Sequence, residues 1–389
     1  MKRRMLCRFL LAIFLTGSLC ACARLYDGKY ISVSEHEETQ VNAGSGGQYY
    51  QVHTYAGIQN ALMELIGEGA EEGVIRVQDY AGSVQDDIAR ICLNITKESA
   101  IGSYAVEYIT HSVNRILSYY EVQLSIRYRL SEEERSAVVS VPTLADMYRL
   151  VDNALLSRET KMAVQIGTLA VTERTLVNHV ESFYRENPDK LSVQPTVSVA
   201  FYPSESSVSK VITFDFSYRN TAEEEAARLQ ELNAAASALT AGFGDLSQAE
   251  YALLCCRKLT EAAQTSAGGN TAYDALVNAL GDSEGFAMAY QLLCSRFGIS
   301  CQVVEGRKNG SVHNWNILKL GRDYYHVDTY ACAEDGLPEH FLLTDGELIG
   351  EYWWDVDRYP RCQGNMQAEV VIETYLSRQN AAESAAEEA

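Results

Sequence analysis

No stretch of this chain stays apolar for the roughly 20 residues that a bilayer-spanning helix requires. The apolar run Phe9–Leu15 is far too short, and it follows the basic cluster Lys2, Arg3 and Arg4, so residues 1–21 read as a signal peptide. Cysteines are never spaced as CxxC, which argues against a structural zinc site, and no acidic loop has the ligand spacing that calcium needs. Neither a metal nor an organic cofactor is implied. Cations are also scarce: 32 basic residues face 52 acidic ones, and four of the 32 lie in the first eight positions. A net charge of -20 argues against nucleic acid or anionic polymers as partners. It suits an exported protein that must stay in solution.

At 389 residues the chain is long enough for two or three domains, and its 47% hydrophobic content is that of a globular protein. Leu19-Cys20-Ala21-Cys22 resembles a lipobox, with Cys22 as the residue that receives lipid and becomes the new N-terminus. Each methylene of an acyl chain buried in the bilayer contributes about 0.8 kcal/mol, and two chains anchor stably. The expected partner is therefore the membrane, through lipid on Cys22, with the protein on the extracytoplasmic face. Residues 22–48 are polar and end in a glycine-rich run, which reads as a lipidated flexible tether. Seven cysteines follow Cys22, an odd number. Most sit in apolar periodic runs as small hydrophobes, while Cys332 and Cys362 lie in loop-like stretches as a candidate disulfide.

From Tyr49 to Arg219 the pattern repeats after about 89 residues. Helical spacing over Ile58–Ile66 is followed by a strand at Gly73–Gln78, a helix at Asp86–Ile95, and strands at Tyr104–Ile109 and Ile116–Tyr128. The order returns as helix Met147–Leu156, strand Met162–Ile166, helix Thr175–Tyr184 and strands Thr196–Phe201 and Ser209–Tyr218. This predicts two αβαββ modules, residues 49–130 and 131–220, each with helices on one face of a small sheet. His53, His111 and His179 stand alone in them and form no catalytic constellation. Asn220–Ala241 is Ala/Glu-rich and predicts a connecting helix, and 378–389 reads as a frayed acidic tail.

The chemistry-bearing residues lie further on. Gly281-Asp282-Ser283-Glu284-Gly285-Phe286-Ala287 opens a helix with Phe286, Ala289, Tyr290, Leu293, Cys294 and Phe297 on one face. A strand follows from Cys301, then His313-Asn314-Trp315-Asn316 and Tyr324-Tyr325-His326-Val327-Asp328. This order is similar to the transglutaminase-like superfamily, whose members carry G-x-C-x-G-[YF]-A, then H-x-W-N, then W/Y-x-H-x-D. The resemblance spans roughly a third of the chain. It implies an α+β, papain-like domain over residues 221–377, with the family's Cys-His-Asp triad falling on Ser283, His313 and Asp328.

The physical logic of that mapping is legible. A group at a helix N-terminus meets the positive end of the helix dipole. A two-residue turn at Gly321-Arg322 makes His313 and Asp328 diagonal neighbours on one face of a hairpin, where the carboxylate orients the imidazole. Trp315 and Asn316 are support residues, His326 a packing residue, and Tyr352, Trp353 and Trp354 core and rim. The departure is Ser283, because a cysteine thiol ionises near neutrality in such a setting and a serine hydroxyl does not. Asp282 and Glu284 oppose an alkoxide further. Three functions stay open: a catalytically degenerate module binding a peptide, protein or peptidoglycan ligand; a serine-using amide hydrolase or acyl transferase; and a structural envelope protein.

Overall fold

A computed structural model describes residues 40–44, 47–167, 171–204 and 209–387. The expected signal peptide, Cys22 and most of the tether lie outside the described residues. The fold is α+β. The chain divides into two compact units, one comprising residues up to Leu93 with Ile109–Ile126, the other Asn94–Tyr108 with Arg127–Ala389. The modules expected at 131–220 and 221–377 therefore belong to one unit.

The first sheet is built from β1 (Gln40–Gly44), β2 (Gly47–Val52), β3 (Glu72–Gln78), β4 (Val106–Ile116) and β5 (Tyr119–Tyr128), in the order β1-β2-β3-β5-β4. β1 and β2 pair antiparallel, so the end of the expected tether is strand. Helix α1 (Tyr55–Gly67) joins β2 to β3 as a parallel crossover, and Thr54 caps it by accepting from the Gly57 amide. Helix α2 (Val84–Glu98) buries Ile88, Ile91, Cys92 and Ile95 at the expected spacing. Where a strand from Tyr104 was expected, Ser99 caps a short helix, α3 (Ala100–Ala105), and the strand starts at Val106.

The second sheet holds β6 (Val139–Val141), β7 (Lys161–Ile166), β8 (Thr196–Tyr202) and β9 (Lys210–Ser217), in the order β6-β7-β9-β8. Its helices α4 (Leu144–Leu156) and α5 (Glu173–Glu186) bury Met147, Val151, Leu155, Leu176 and Val180 against Val164, Ile166, Ile212 and Phe214. A strand precedes the first helix in both sheets, so the local order is βαβαββ and not αβαββ. Ala100 and Tyr104 of α3 pack with Ala163, Val211 and Tyr202 in a small cluster of the same unit.

The C-terminal part begins with α6 (Ala222–Leu239) and α7 (Gln248–Ala262), both opened by capping boxes, Thr221 with Glu224 and Ser247 with Glu250. A parallel pair of two-residue strands, β10 (Gln264–Thr265) and β11 (Leu280–Gly281), brackets α8 (Ala272–Leu276). Then come α9 (Ser283–Ser295), β12 (Cys301–Lys308), β13 (Ser311–Leu320), β14 (Asp323–Val327), α10 (Thr329–Asp335), β15 (Phe341–Leu343), β16 (Tyr352–Trp354) and α11 (Ala368–Glu387). The sheet runs β15-β14-β13-β12-β16, antiparallel throughout. The expected tail from 378 is the continuation of α11.

Helix α9 is buried all round from Gly285 to Cys294, not on one face, because α7 and the sheet enclose it and Gln291 Nε2 reaches the Arg185 carbonyl of α5. Cys332 and Cys362 are free thiols in separate clusters, so the expected disulfide is not formed. Cys332 lies in the core with Cys256, and Cys362 beside Trp315 and Tyr352. Among the described residues no helix is long and apolar enough to cross a membrane.

Candidate functional site

The hairpin of β13 and β14 pairs Leu320 with Asp323, leaving Gly321 and Arg322 as a two-residue turn, with Gly321 at φ +63°. In that register His313 and Asp328 are diagonal neighbours, as the spacing predicts. His313 Nε2 lies 2.6 Å from Asp328 Oδ2. A carboxylate there places the proton on Nε2 and leaves Nδ1 as the acceptor nitrogen.

Asp328 is 2% exposed and fully engaged. It caps α10 by accepting from the Ala331 amide at 3.0 Å through Oδ1, and its Oδ2 also accepts from the Tyr352 hydroxyl at 2.7 Å. Burial pushes its carboxyl up, but the His313 bond and charge, with the bonds from Ala331 and Tyr352, outweigh it and hold the group below the usual carboxylate range. The same carboxylate acts on Tyr352, whose hydroxyl is pushed up by burial and then by Asp328. Tyr352, read from sequence as packing, is thus a support of the acid; an aromatic in an apolar run gives no sign of where its hydroxyl will end.

Ser283 is the first residue of α9, and Asp282 is the cap. The Asp282 carboxylate accepts from the Glu284 amide at 2.9 Å and the Gly285 amide at 3.0 Å. The tip is held from behind: the Asp282 amide donates to the Gly269 carbonyl at 3.1 Å. Ser283 Oγ accepts from the Asn314 amide at 3.2 Å, which sets the helix tip against the residue following His313. Tyr330 of α10 spans the same gap, edge-on to Phe286 of α9 at 5.7 Å and to His313 at 5.8 Å. The three positions singled out by sequence are therefore brought to one place. Among the described residues, Ser283 Oγ makes no hydrogen bond to His313.

The motif residues between them have structural duties. Asn316 Nδ2 donates to the Ala287 carbonyl at 2.9 Å and ties β13 to α9. Trp315 Nε1 donates to His326 Nδ1 at 3.0 Å, and His326 Nε2 lies 3.0 Å from Asp345 Oδ1. The ligand atoms of His326, Asp345 and Cys362 lie within 4.8 Å of one another, a spacing a metal would fit. The indole, however, is only a donor, so His326 Nδ1 is the acceptor and Nε2 carries the proton toward Asp345. A metal on Nε2 would require an imidazolate, so this trio reads as a locked hydrogen-bond chain. Of the three adjacent aromatics, Tyr352 and Trp354 are core while Trp353 is 66% exposed.

One contact of the site has no signature in the motifs. Arg185 of α5 bonds Glu284, the neighbour of Ser283, at 2.7 Å, and Glu305 of β12 at 2.8 Å. Arg358 joins it by pairing with Glu305 and donating to Ser182 Oγ.

No family model and no curated protein matches the chain. Among solved structures, one described as the crystal structure of a TGase is similar at 9% identity over 67% of this chain and 51% of that one, with a TM-score of 0.22. A putative protease from Parabacteroides distasonis ATCC 8503 is similar at 10% identity over 55% of this chain and 47% of that one, with a TM-score of 0.20. The chain spans about half the length of each, and the likeness is weak.

Proposed function

We propose that residues 221–377 form a transglutaminase-like domain whose Ser283–His313–Asp328 site binds a peptide or cell-wall ligand without turning it over. The protein would carry this domain on the outer face of the membrane through lipid at Cys22. The N-terminal modules would be two copies of one βαβαββ unit; the matching strand orders of the two sheets support that reading.

The observation that carries the binding reading is the state of the Ser283 hydroxyl. It accepts from the Asn314 amide and not from or to His313. The first amides of α9 are already taken by the Asp282 carboxylate, so the charge that would stabilise an anion at position 283 is spent on a neighbouring one. A serine in that field forms no resting alkoxide, where a cysteine would reach a thiolate. A second reading, a serine-using amide hydrolase or acyl transferase, is favoured by the intact His313–Asp328 pair and its Tyr352 support. In that reading His313 Nδ1 takes the Ser283 proton as the hydroxyl attacks an amide carbonyl, then gives it to the amine that leaves as the C–N bond breaks, and the acyl-serine passes to water or a second amine.

A fluorophosphonate probe on the parent chain and iodoacetamide on the Ser283→Cys variant separate the two. The binding reading expects no fluorophosphonate label on the parent, and alkylation of the new cysteine at neutral pH faster than that of free cysteine, in a His313-dependent way. Label on Ser283 that disappears in His313→Ala decides for the hydrolase. A new cysteine no more reactive than free cysteine would remove both, and leave a structural envelope protein.

A further inference from the structure

A polar cavity of about 490 Å³ opens between the open end of the β8–β9 pair and the loop that leads into α8; its lining includes Tyr184, Arg219, Arg228, Asn270, Thr271 and Asp274. Two arginines lining one cavity are conspicuous in a chain whose acidic residues outnumber its basic ones 52 to 32. Among the described residues neither Arg219 nor Arg228 has a carboxylate within ion-pair distance.

No carboxylate touches the Arg228 guanidinium directly, and Glu225 and Glu231 lie one hydrogen bond beyond the groups that hold it. Its guanidinium carbon sits 3.6 Å over the Tyr273 ring, and its Nε donates to Ser192 Oγ at 3.1 Å. Tyr273 is tethered in turn by Glu231, and Ser192 by Glu225. A stacked, singly bonded guanidinium keeps its terminal amino groups free in a fixed plane, which is the geometry that receives a planar or tetrahedral oxyanion. The one acid on the wall, Asp274, is oriented by two neutral donors, Thr271 Oγ1 at 2.6 Å and Asn278 Nδ2 at 2.9 Å. Asn270 and Thr271 add neutral polar groups to the rim.

We infer that this cavity is an oxyanion-binding site, taking a carboxylate or a phosphate group between Arg219 and Arg228. It does not depend on chemistry at Ser283, so its failure and that of the proposed function are separate results.

The test is the thermal midpoint of the full-length protein in mild detergent, titrated with inorganic phosphate or with acetyl-alanyl-alanine, against sodium chloride at equal ionic strength. A saturable rise beyond the chloride control is expected with at least one of them, and the one that responds names the source of the oxyanion. Arg219→Gln, at an exposed position, should keep the ligand-free midpoint and weaken binding roughly tenfold, the loss of one charge-assisted hydrogen bond. Arg228→Lys, which keeps the charge and loses the planar fork, should weaken it as well. No rise beyond chloride with either ligand overturns the site, and so does an Arg219→Gln titration that matches the parent.

Discussion

Arg185 and Glu284 are ion-paired across 99 positions of sequence, Nε to Oε1 at 2.7 Å, and the glutamate is the residue immediately after Ser283. The second βαβαββ segment thus reaches the tip of the helix that opens the candidate site. The same guanidinium holds Glu305, which stands opposite Asn314 in the β12–β13 register. One cation therefore fixes α9 and β12 relative to each other, next to the amide that engages the Ser283 hydroxyl.

Replacing Arg185 by Met keeps the aliphatic stem and removes the charge. Glu284 and Glu305 side chains are 17% and 31% exposed; Glu284 would be left partly buried without its partner, while Glu305 would keep Arg358. Solvent screening at Glu305 trims the penalty, and a loss of about 2–3 kcal/mol in urea unfolding is expected. Glu284→Gln in the Arg185→Met background should cost much less than in the parent; equal costs would show that the pair is not coupled.

Tyr352→Phe removes one donor from Asp328 and leaves those of His313 and Ala331. The Asp328 carboxyl is held low in the folded state, so its contribution is present above the unfolded value near pH 4 and is lost as pH falls through the lower folded value. Without the tyrosine the folded value rises. The variant should be less stable at pH 7 by about 1–2 kcal/mol and should unfold in acid at a higher pH than the parent. Unfolding curves followed from pH 7 to pH 2 measure both.

Gly285→Ala should destabilise although alanine is the better helix former by about 1 kcal/mol. A Cβ at this position would lie 2.3 Å from the Gly269 carbonyl oxygen and 3.1 Å from that of Thr271, both main-chain atoms. The net loss expected is about 1–3 kcal/mol. A thermal midpoint at or above that of the parent would show that the 269–271 loop yields freely.

His326 makes a pH prediction of opposite origin. Burial lowers its pKa by more than the Asp345 bond raises it. The unfolded chain therefore takes up a proton near pH 6.5 before the folded one does, and stability should fall from pH 7 to pH 5. Proton uptake on Nδ1 breaks the bond from Trp315, so a shift in tryptophan fluorescence should accompany it. In His326→Gln the share of the pH slope due to this group should vanish. Equimolar zinc should leave the parent's thermal midpoint unchanged, since both ring nitrogens are committed.

Much of the C-terminal hairpin was legible because strand alternation and a two-residue turn fix register: His313, Trp315, His326 and Asp328 fall on one face by counting alone. The helix opening at Ser283 was legible from the helical spacing of the apolar residues that follow it, and Asp282 is its cap. What spacing could not give are contacts decided by packing between distant segments. Arg185 to Glu284 and Tyr352 to Asp328 have no periodicity linking them. The leading strands β2 and β6 escaped because each is short and flanked by turn residues, and only pairing with β3 and β7 makes them strands.

The chain crosses between its two compact units three times, after Leu93, Tyr108 and Ile126. A fragment starting at residue 127 would lack Ala100 and Tyr104, and would leave the Ala163, Val211 and Tyr202 surface they pack against bare. No single scission can release either unit whole, so neither is a cassette that recombination could splice elsewhere by one joint at each end.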